Sequence, residues 1–303
     1  MKKRLMGLCL LAVLALAGCH RMVDEPASIT VTASFYPIYA LARGITRDVP
    51  DLQLTCLTQP QDGCLRSYQL SDWDAAKLQE SDALLLGGRG LESFEGMLTG
   101  GSLKVLTVLD NLSLKGSDAP VPVGDDEASH LAGANPWAWM GVSGARAMSE
   151  AIAQGLIQLD PGNARRYEAN LSQVAQALDV LEADMAALGC AGGRVALMHE
   201  GLGYFADTLK LTVACVIDRE PGTDYEADGL AQALATLEKA QVSTVLIEWQ
   251  APERLVRDLE KAGYRVARID TLSAHAESDA DTYEKVMRQN ARSVAQALST
   301  PAP

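Results

Sequence analysis

Three predicted strands in the second half of the chain end in side chains that can bind a cation. His199-Glu200 follows the first of these strands, Glu248 follows the second and Asp270 follows the third. Ligands of parallel sheets collect at the carboxyl ends of the strands, so we expect these side chains at one edge. Imidazole and carboxylate groups bind zinc and harder divalent cations. The pattern indicates a metal site, although polar residues are also common wherever a strand leaves a sheet.

The strands that position these residues belong to a chain in which strand and helix signals alternate. Strands are predicted at 29–33, 52–57, 83–86, 104–109, 195–198, 211–217, 242–247 and 265–269. From Ser143 to Leu188 the pattern is helical, with one interruption at Asp160-Pro161, and the piece after it would span roughly 39 Å. Such alternation predicts parallel sheets covered by helices on both faces.

The predicted fold class is therefore α/β, with two βα lobes joined by a long, rigid helix. The expected units are an N-terminal lobe at 28–141, connecting helices at 142–189 and a C-terminal lobe at 190–303. A length of 303 residues is sufficient for two lobes of ordinary size.

The first residues predict export and a lipid anchor. Lys2-Lys3-Arg4 precedes an apolar run from Leu5 to Ala17, which is typical of a signal peptide and too short for a membrane span. The run ends in Leu16-Ala17-Gly18-Cys19, the pattern of a bacterial lipobox, so Cys19 is expected to carry lipid. Residues 1–19 are interpreted as a lipoprotein signal peptide and 20–27 as a tether. The predicted location is extracytoplasmic, at the cell membrane.

Charge and motifs exclude several functional classes. The formal net charge of −13 argues against nucleic acid, because phosphate contacts need clustered Lys and Arg. His199-Glu200 is not followed by the second histidine of an H-E-x-x-H motif, because position 203 is glycine. A G-x-S-x-G nucleophile elbow and a P-loop are also missing from the sequence, which predicts that the protein is not an enzyme.

Four cysteines remain once the signal peptide is removed and Cys19 is acylated. Export permits disulfides, and we favour Cys56 with Cys64 and Cys190 with Cys215, because each pair lies in one half of the chain. A zinc site made of all four thiolates is the alternative, but no C-x2-C spacing supports it.

Several short segments follow one another in a characteristic order. They are Ala33-Ser-Phe-Tyr-Pro37, Ser67-Tyr-Gln-Leu-Ser-Asp-Trp-Asp74, Ser81 to Glu92, Asn135-Pro-Trp-Ala-Trp139, His199-Glu-Gly-Leu-Gly-Tyr-Phe205 and Ile247-Glu-Trp-Gln250. Together they resemble the solute-binding lipoproteins of zinc and manganese ABC importers, the TroA-like cluster, over essentially the whole mature chain. The resemblance implies zinc or manganese as the transported ligand, an ABC permease and its ATPase as partners, and a monomeric chain.

The resemblance also implies a metal site that is only half present. The family binds its metal with three histidines and one carboxylate, two ligands from each lobe. His199 matches the third histidine and Asp270 matches the carboxylate. Arg66 stands at the position of the first histidine, and Trp137 stands at the position of the second, directly after Asn135-Pro136. A guanidinium has no lone pair to donate and keeps its charge, and an indole offers only an N–H donor.

Three interpretations of this half-site stay open. In the first, the metal binds through a shifted set that keeps His199 and Asp270; the additional ligands considered are Glu200, Glu248, Cys64 and His130. In the second, Arg66 replaces the charge of the metal, and the cleft binds an anionic or aromatic solute between Trp137 and Trp249. In the third, the pocket is a filled core and the lipoprotein is an adhesion or interaction module. Capture of zinc or manganese for delivery to the permease is the leading prediction.

Overall fold

The computed structural model describes residues 28–58, 68–98, 102–116, 134–217, 227–273 and 282–300. The first half contains β1 (Ile29–Ala33), α1 (Tyr36–Ile45), β2 (Leu52–Cys56), α2 (Asp72–Gln79), β3 (Ala83–Leu86) and β4 (Lys104–Thr107). Two long helices follow, α3 (Val142–Leu159) and α4 (Ala164–Ala186). The second half contains β5 (Arg194–Leu197), α5 (Gly203–Thr208), β6 (Thr212–Val216), α6 (Ala227–Lys239), β7 (Thr244–Glu248), α7 (Glu253–Lys261), β8 (Arg265–Ile269) and α8 (Thr282–Ser299).

The described strands form two separate parallel sheets with the same topology. The order is β2-β1-β3-β4 in the N-terminal lobe and β6-β5-β7-β8 in the C-terminal lobe. Each neighbouring pair is parallel. This arrangement confirms the predicted fold class of two βα lobes.

Apolar side chains cover both faces of each sheet, as parallel sheets require. In β3, Ala83 and Leu85 face the main core, whereas Leu84 and Leu86 face a smaller cluster on the opposite side. The C-terminal sheet is divided in the same way between the main core and a second small cluster. A strand that is apolar along its whole length, such as β3, is therefore buried from both sides.

The main core runs continuously through both lobes. It includes Ala33 of β1 and Leu197 of β5, and between them Ile152 of α3 and Leu181 of α4. With 23 residues, α4 is about 34 Å long and contacts α1 of the first lobe and α8 of the second. In addition, the side chain of Asn170 donates hydrogen bonds to backbone carbonyls at the end of α1. The helices therefore join the two lobes through packed side chains.

Local sequence explains where α2 begins. Ser71 accepts a hydrogen bond from the backbone N–H of Asp74, whose carboxylate accepts one from the N–H of Ser71, which makes a complete capping box. The sequence also predicts a helix starting near Glu92. Among the described residues that helix is not formed, and a short 3-10 turn at Glu95–Met97 follows instead. The reason is that Glu92 accepts hydrogen bonds from the preceding backbone, as described below.

The predicted disulfide between Cys190 and Cys215 is wrong, because both residues are free thiols in the structure. Cys190 packs in the main core, whereas Cys215 in β6 packs with the small cluster on the other face of the C-terminal sheet. Closeness in sequence did not reveal that a sheet separates them. Cys64 lies outside the described residues, so its pairing with Cys56 stays a prediction. Within the described part of the chain, no helix combines the length and apolarity of a membrane-spanning segment.

Candidate functional site

Each sheet reverses its strand order at one point, between β1 and β3 in the first lobe and between β5 and β7 in the second. Ligands of open α/β sheets bind at such points, outside the carboxyl ends of the strands. In the C-terminal lobe, His199 follows β5 and Glu248 ends β7. In the N-terminal lobe, the corresponding residues are Ser34 after β1 and the loop that leads from β3 to Glu92.

His199 is buried and held by its own backbone segment. It is 5% exposed, and its Nδ1 accepts a hydrogen bond from the N–H of Gly201 at 3.0 Å. With Nδ1 accepting, a neutral imidazole carries its proton on Nε2. A metal-bound histidine instead donates its second N–H to a neighbour. To bind a metal, the His199 ring must therefore turn, or its hydrogen bond with Gly201 must be replaced.

Asp270 lies where β8 ends, and the backbone around it is fixed. Its N–H donates to Oδ1 of Asn290 at 2.8 Å, and Nδ2 of Asn290 donates to the Asp270 carbonyl at 2.8 Å. One carboxylate oxygen of Asp270 accepts a hydrogen bond from the N–H of Leu272 at 2.7 Å. Leu272 has a positive φ of 64°, which turns the chain sharply behind the carboxylate. The aspartate is thus held at the edge of the sheet by α8.

An aromatic cluster connects these two residues. The Trp137 ring stacks on Trp139, with centroids 5.0 Å apart, and meets the His199 ring edge-on at 4.8 Å. Nε1 of Trp139 donates to the carbonyl of Thr271 at 3.0 Å, next to Asp270. Phe35, after β1, packs edge-on against Trp139 at 5.0 Å. The segment before α3 therefore brings aromatic groups against both ends of the C-terminal edge.

The close approach of Trp137 depends on glycine at position 201. A Cβ atom there would lie 2.5 Å from Cδ2 of Trp137 and 2.8 Å from Nδ1 of His199. Both distances are shorter than real Cβ contacts, and the indole cannot retreat because it is stacked on Trp139. Gly201 is thus required for the geometry of the cluster.

A second set of contacts fixes the chain segment that carries Trp137. The hydroxyl of Tyr204 donates to the Asn135 carbonyl at 2.8 Å and accepts the N–H of Lys115 at 2.7 Å. The side-chain amide of Asn135 donates to the Glu200 carbonyl at 2.9 Å. Lys115 and Asn135 also form an isolated antiparallel bridge. These contacts join the N-terminal lobe to the 3-10 turn and helix that follow His199.

The N-terminal edge contains a carboxylate of a different kind. Glu92 is buried and accepts hydrogen bonds from the Ser34 hydroxyl at 2.6 Å and from the N–H groups of Gly87 and Gly88 at 2.7 and 3.1 Å. Burial raises the pKa of Glu92 from 4.5 to about 7, although the three donors act in the opposite direction. The carboxylate oxygens of Glu92 therefore accept hydrogen bonds from groups inside the N-terminal lobe.

The remaining predicted site residues have different outcomes. Glu248 is buried, and Glu200 lies in the 3-10 turn after His199. Trp249 is 62% exposed, and its ring packs against the Arg268 guanidinium at 5.8 Å. Among the described residues, no group of three or more His, Cys, Asp or Glu side chains could hold a metal ion. The other predicted residues lie outside the described residues: Cys19, Cys64, Arg66 and His130.

Comparison with known proteins identifies the family. Residues 31–297 match the family model described as zinc-uptake complex component A, periplasmic (ZnuA). The chain belongs to the ZnuA family. This assignment covers both lobes and the connecting helices.

Curated relatives of this ZnuA-family chain are distant. The manganese ABC transporter substrate-binding lipoprotein scaA of Streptococcus gordonii is 22% identical over 99% of this chain and 100% of the relative. The zinc-binding protein AdcA of Streptococcus pyogenes serotype M3 is 23% identical over 89% of this chain but only 56% of its own length. The chain spans about half the length of the first curated relatives that it matches.

Solved structures share the fold. The solute-binding protein FpvC of Pseudomonas aeruginosa, in complex with Mn²⁺, superposes with a TM-score of 0.75 at 21% identity and covers 89% of this chain and 98% of its own. A crystal structure of ZnuA superposes with a TM-score of 0.73 at 21% identity, with coverage of 90% and 100%. The two-lobed architecture is therefore that of known metal-binding proteins.

Sequence reasoning missed two features of the candidate site. One is the buried Glu92, whose signal is the glycine-rich turn from Gly87 to Gly90 just before it. The other is the link from Tyr204 to Asn135, for which the sequence shows no signal, because the two residues are 69 positions apart.

Proposed function

We propose that the chain is the solute-binding lipoprotein of an ABC importer and captures a divalent transition metal, zinc or manganese. The observation that carries this function is the placement of His199 and Asp270 at the carboxyl edge of the C-terminal sheet. The Trp137 ring contacts His199, and Trp139 donates a hydrogen bond to Thr271, the residue after Asp270. Membership of the ZnuA family and the printed functions of scaA and AdcA support the same class of cargo.

The proposal extends to location, partners and organisation. Lipid on Cys19 anchors a monomer outside the cytoplasmic membrane, where it delivers its cargo to a permease driven by an ATPase. The units are 28–141, 142–189 and 190–303, and the protein performs no catalysis. Transfer of radiolabelled palmitate to the wild type but not to Cys19→Ala tests the anchor.

Metal binding is tested on the purified mature protein. Calorimetry with zinc chloride and manganese chloride, together with elemental analysis, should give about one bound ion per chain. The His199→Ala, Asp270→Ala double variant should lose this binding, because both ligands of the C-terminal edge are then gone. Asp179→Ala is the matched control, since this aspartate is on the outer surface of α4 with a side chain that is 69% exposed.

The control should bind metal like the wild type. Binding that persists in the double variant would mean that the cargo is held elsewhere. No metal binding by the folded wild type would overturn the proposed function.

A further inference from the structure

Three arginines form a basic cluster at one end of the N-terminal lobe. They are Arg47, on the loop after α1, and Arg165 and Arg166, at the start of α4. All three are exposed, and they line one open depression of about 840 Å³. Asp48 lies in the same depression, so its lining carries three positive charges and one negative charge, a net charge of +2. The basic cluster is thus a cationic surface on a chain whose formal net charge is −13.

The charges of the basic cluster are not neutralised by neighbouring side chains. Other arginines on helices are paired with acidic residues, for example Arg146 with Asp179 at 2.6 Å and Arg288 with Asp184 at 2.8 Å. Within the described ranges of the chain, none of the three clustered guanidinium groups takes part in an ion pair. These three charges are therefore available to a partner outside the lobe.

The stability of α4 does not explain why arginines stand at its start. Arg165 and Arg166 lie in the first turn of this fully described helix, and that turn contains no acidic residue. The positive end of the helix dipole is at this terminus, so acidic side chains are favourable there and cations are unfavourable. Selection for helix stability alone would place the opposite charge at these two positions. The arginines therefore indicate a negatively charged partner.

The basic cluster lies at the end of the lobe from which the predicted lipid tether leaves. The N–H of Ile29, the first residue of β1, donates to the carbonyl of Asp51 at 2.7 Å. Asp51 is four residues after Arg47, so their Cα atoms are at most about 15 Å apart. Cys19 is ten residues before Ile29, and a chain of that length reaches at most about 35 Å. Lipid on Cys19 would therefore hold this end of the lobe near the membrane surface.

We propose that the basic cluster binds the anionic phospholipid headgroups of the membrane that holds the lipid anchor. This inference rests on the proposed anchor at Cys19 and adds an orientation to it. Guanidinium groups bind phosphate through paired N–H donors, and each Arg near an anionic bilayer is attracted to its surface. The acidic remainder of the chain is repelled by the same surface. The anchored protein therefore turns this end of the N-terminal lobe toward the bilayer.

Photo-crosslinking of the full acylated protein in vesicles tests this orientation. One vesicle preparation contains phosphatidylglycerol and phosphatidylcholine, the other contains phosphatidylcholine alone, and both contain a trace of lipid with a diazirine in its headgroup. Mass spectrometry should find at least about fivefold more label on the peptides that contain Arg47 and residues 161–170 in the anionic vesicles. Raising the salt concentration to about 1 M should remove this preference, because the Debye length then falls to about 3 Å.

Neutralising the basic cluster should abolish the preference for anionic vesicles. The variant combines Arg47→Gln, Arg165→Gln and Arg166→Gln, and its labelling should be the same in both preparations. The matched control removes three exposed positive charges from α7 of the C-terminal lobe and should keep the preference of the wild type. Its substitutions are Arg254→Gln, Arg257→Gln and Lys261→Gln. Thermal unfolding of both variants verifies that they are folded.

The outcomes separate this inference from the function on which it rests. Equal labelling of the wild type in both preparations would overturn the inference and indicate an acidic protein segment as the partner, while the anchor stands. A cluster variant that keeps the preference for anionic vesicles would also overturn it. If the wild type leaves the vesicles because Cys19 carries no lipid, the proposed anchor falls and the inference falls with it. Metal capture is measured separately by calorimetry and does not depend on these results.

Discussion

The carboxyl edges of the two sheets have the same topology but different chemistry. In the C-terminal lobe, His199 and Asp270 stand at the ends of β5 and β8, beside the aromatic cluster. In the N-terminal lobe, the carboxylate of Glu92 is turned inward and accepts hydrogen bonds from Ser34 and from the backbone. Strand order thus determines where a site can form. The number of internal donors then differs between the edges: among the described residues, three groups donate to the Glu92 carboxylate, whereas one N–H donates to the His199 ring and one to the Asp270 carboxylate.

The largest expected effect comes from restoring the two histidines that the family resemblance implies at positions 66 and 137. If both positions face His199 and Asp270, Arg66→His with Trp137→His replaces a guanidinium and a donor-only indole by two imidazoles and raises the ligand set from two to four. We expect the zinc affinity to rise at least about a hundredfold, measured by competition with a chromophoric chelator. The same two changes at Arg89 and Trp73 provide the control. An unchanged affinity in a folded variant would show that the two edges do not face one ion.

Gly201→Ala tests whether the C-terminal edge depends on close contact with Trp137. The new Cβ would overlap the indole and the His199 ring, so the free energy of unfolding should fall by about 3 kcal/mol. Metal binding should weaken at the same time. Denaturant unfolding gives the first quantity and calorimetry the second.

Gly96→Ala is the control for this change, because a Cβ there meets nothing within 4 Å. It should alter stability by less than about 0.5 kcal/mol. Equal stability of the two variants would contradict the close packing at position 201.

Glu92→Gln tests the contrasting carboxylate of the N-terminal edge. Because burial raises the pKa of Glu92 to about 7, the folded state favours the protonated acid. Its contribution to stability is complete below the unfolded value of 4.5 and is lost as the pH rises through 7. Between about pH 5 and 7 the wild type should lose roughly 2 kcal/mol from this group.

Glu92→Gln should not show this loss of stability as the pH rises, when denaturant unfolding is measured at several pH values. Glu150→Gln, at an exposed position on α3, should keep the pH dependence of the wild type. If the slopes of Glu92→Gln and wild type coincide, Glu92 is ionised throughout this range, and the contrast between the edges is smaller than the structure indicates.

Trp249→Phe should have the smallest effect. The indole is exposed and its main contact is with the Arg268 guanidinium, which stabilises by about 1 kcal/mol or less at such a site. Cargo affinity should be unchanged in calorimetry. A clear loss of cargo affinity would mean that Trp249 contributes to the binding site.

The fold was largely predictable because the strands are short, apolar and separated by clear helix signals. β3 is the plainest case, since Ala83–Leu86 is a fully apolar run between polar residues. The capping box at Ser71 was readable for the same reason, because it depends on residues three positions apart. Interactions between residues this close along the chain can be predicted from the sequence.

The site was only partly predictable, because its geometry depends on contacts between distant residues. The types of His199 and Asp270 were visible, but not the hydrogen bond that occupies Nδ1 of His199. The sequence indicated a helix starting near Glu92, whereas the Glu92 carboxylate accepts hydrogen bonds from the preceding backbone. The sequence also did not show on which side of the sheet Cys190 packs. For this reason the predicted disulfide with Cys215 was wrong.

The bridge between Lys115 and Asn135 has a consequence for how this protein can be altered. The chain leaves and returns at the same point, and that point is secured to Tyr204. The entropy of closing a loop increases only with the logarithm of its length, so a longer insertion between the two bridge residues costs little. A fluorescent reporter domain placed there would be attached beside Tyr204, and its signal would show whether this point of contact changes when cargo is added.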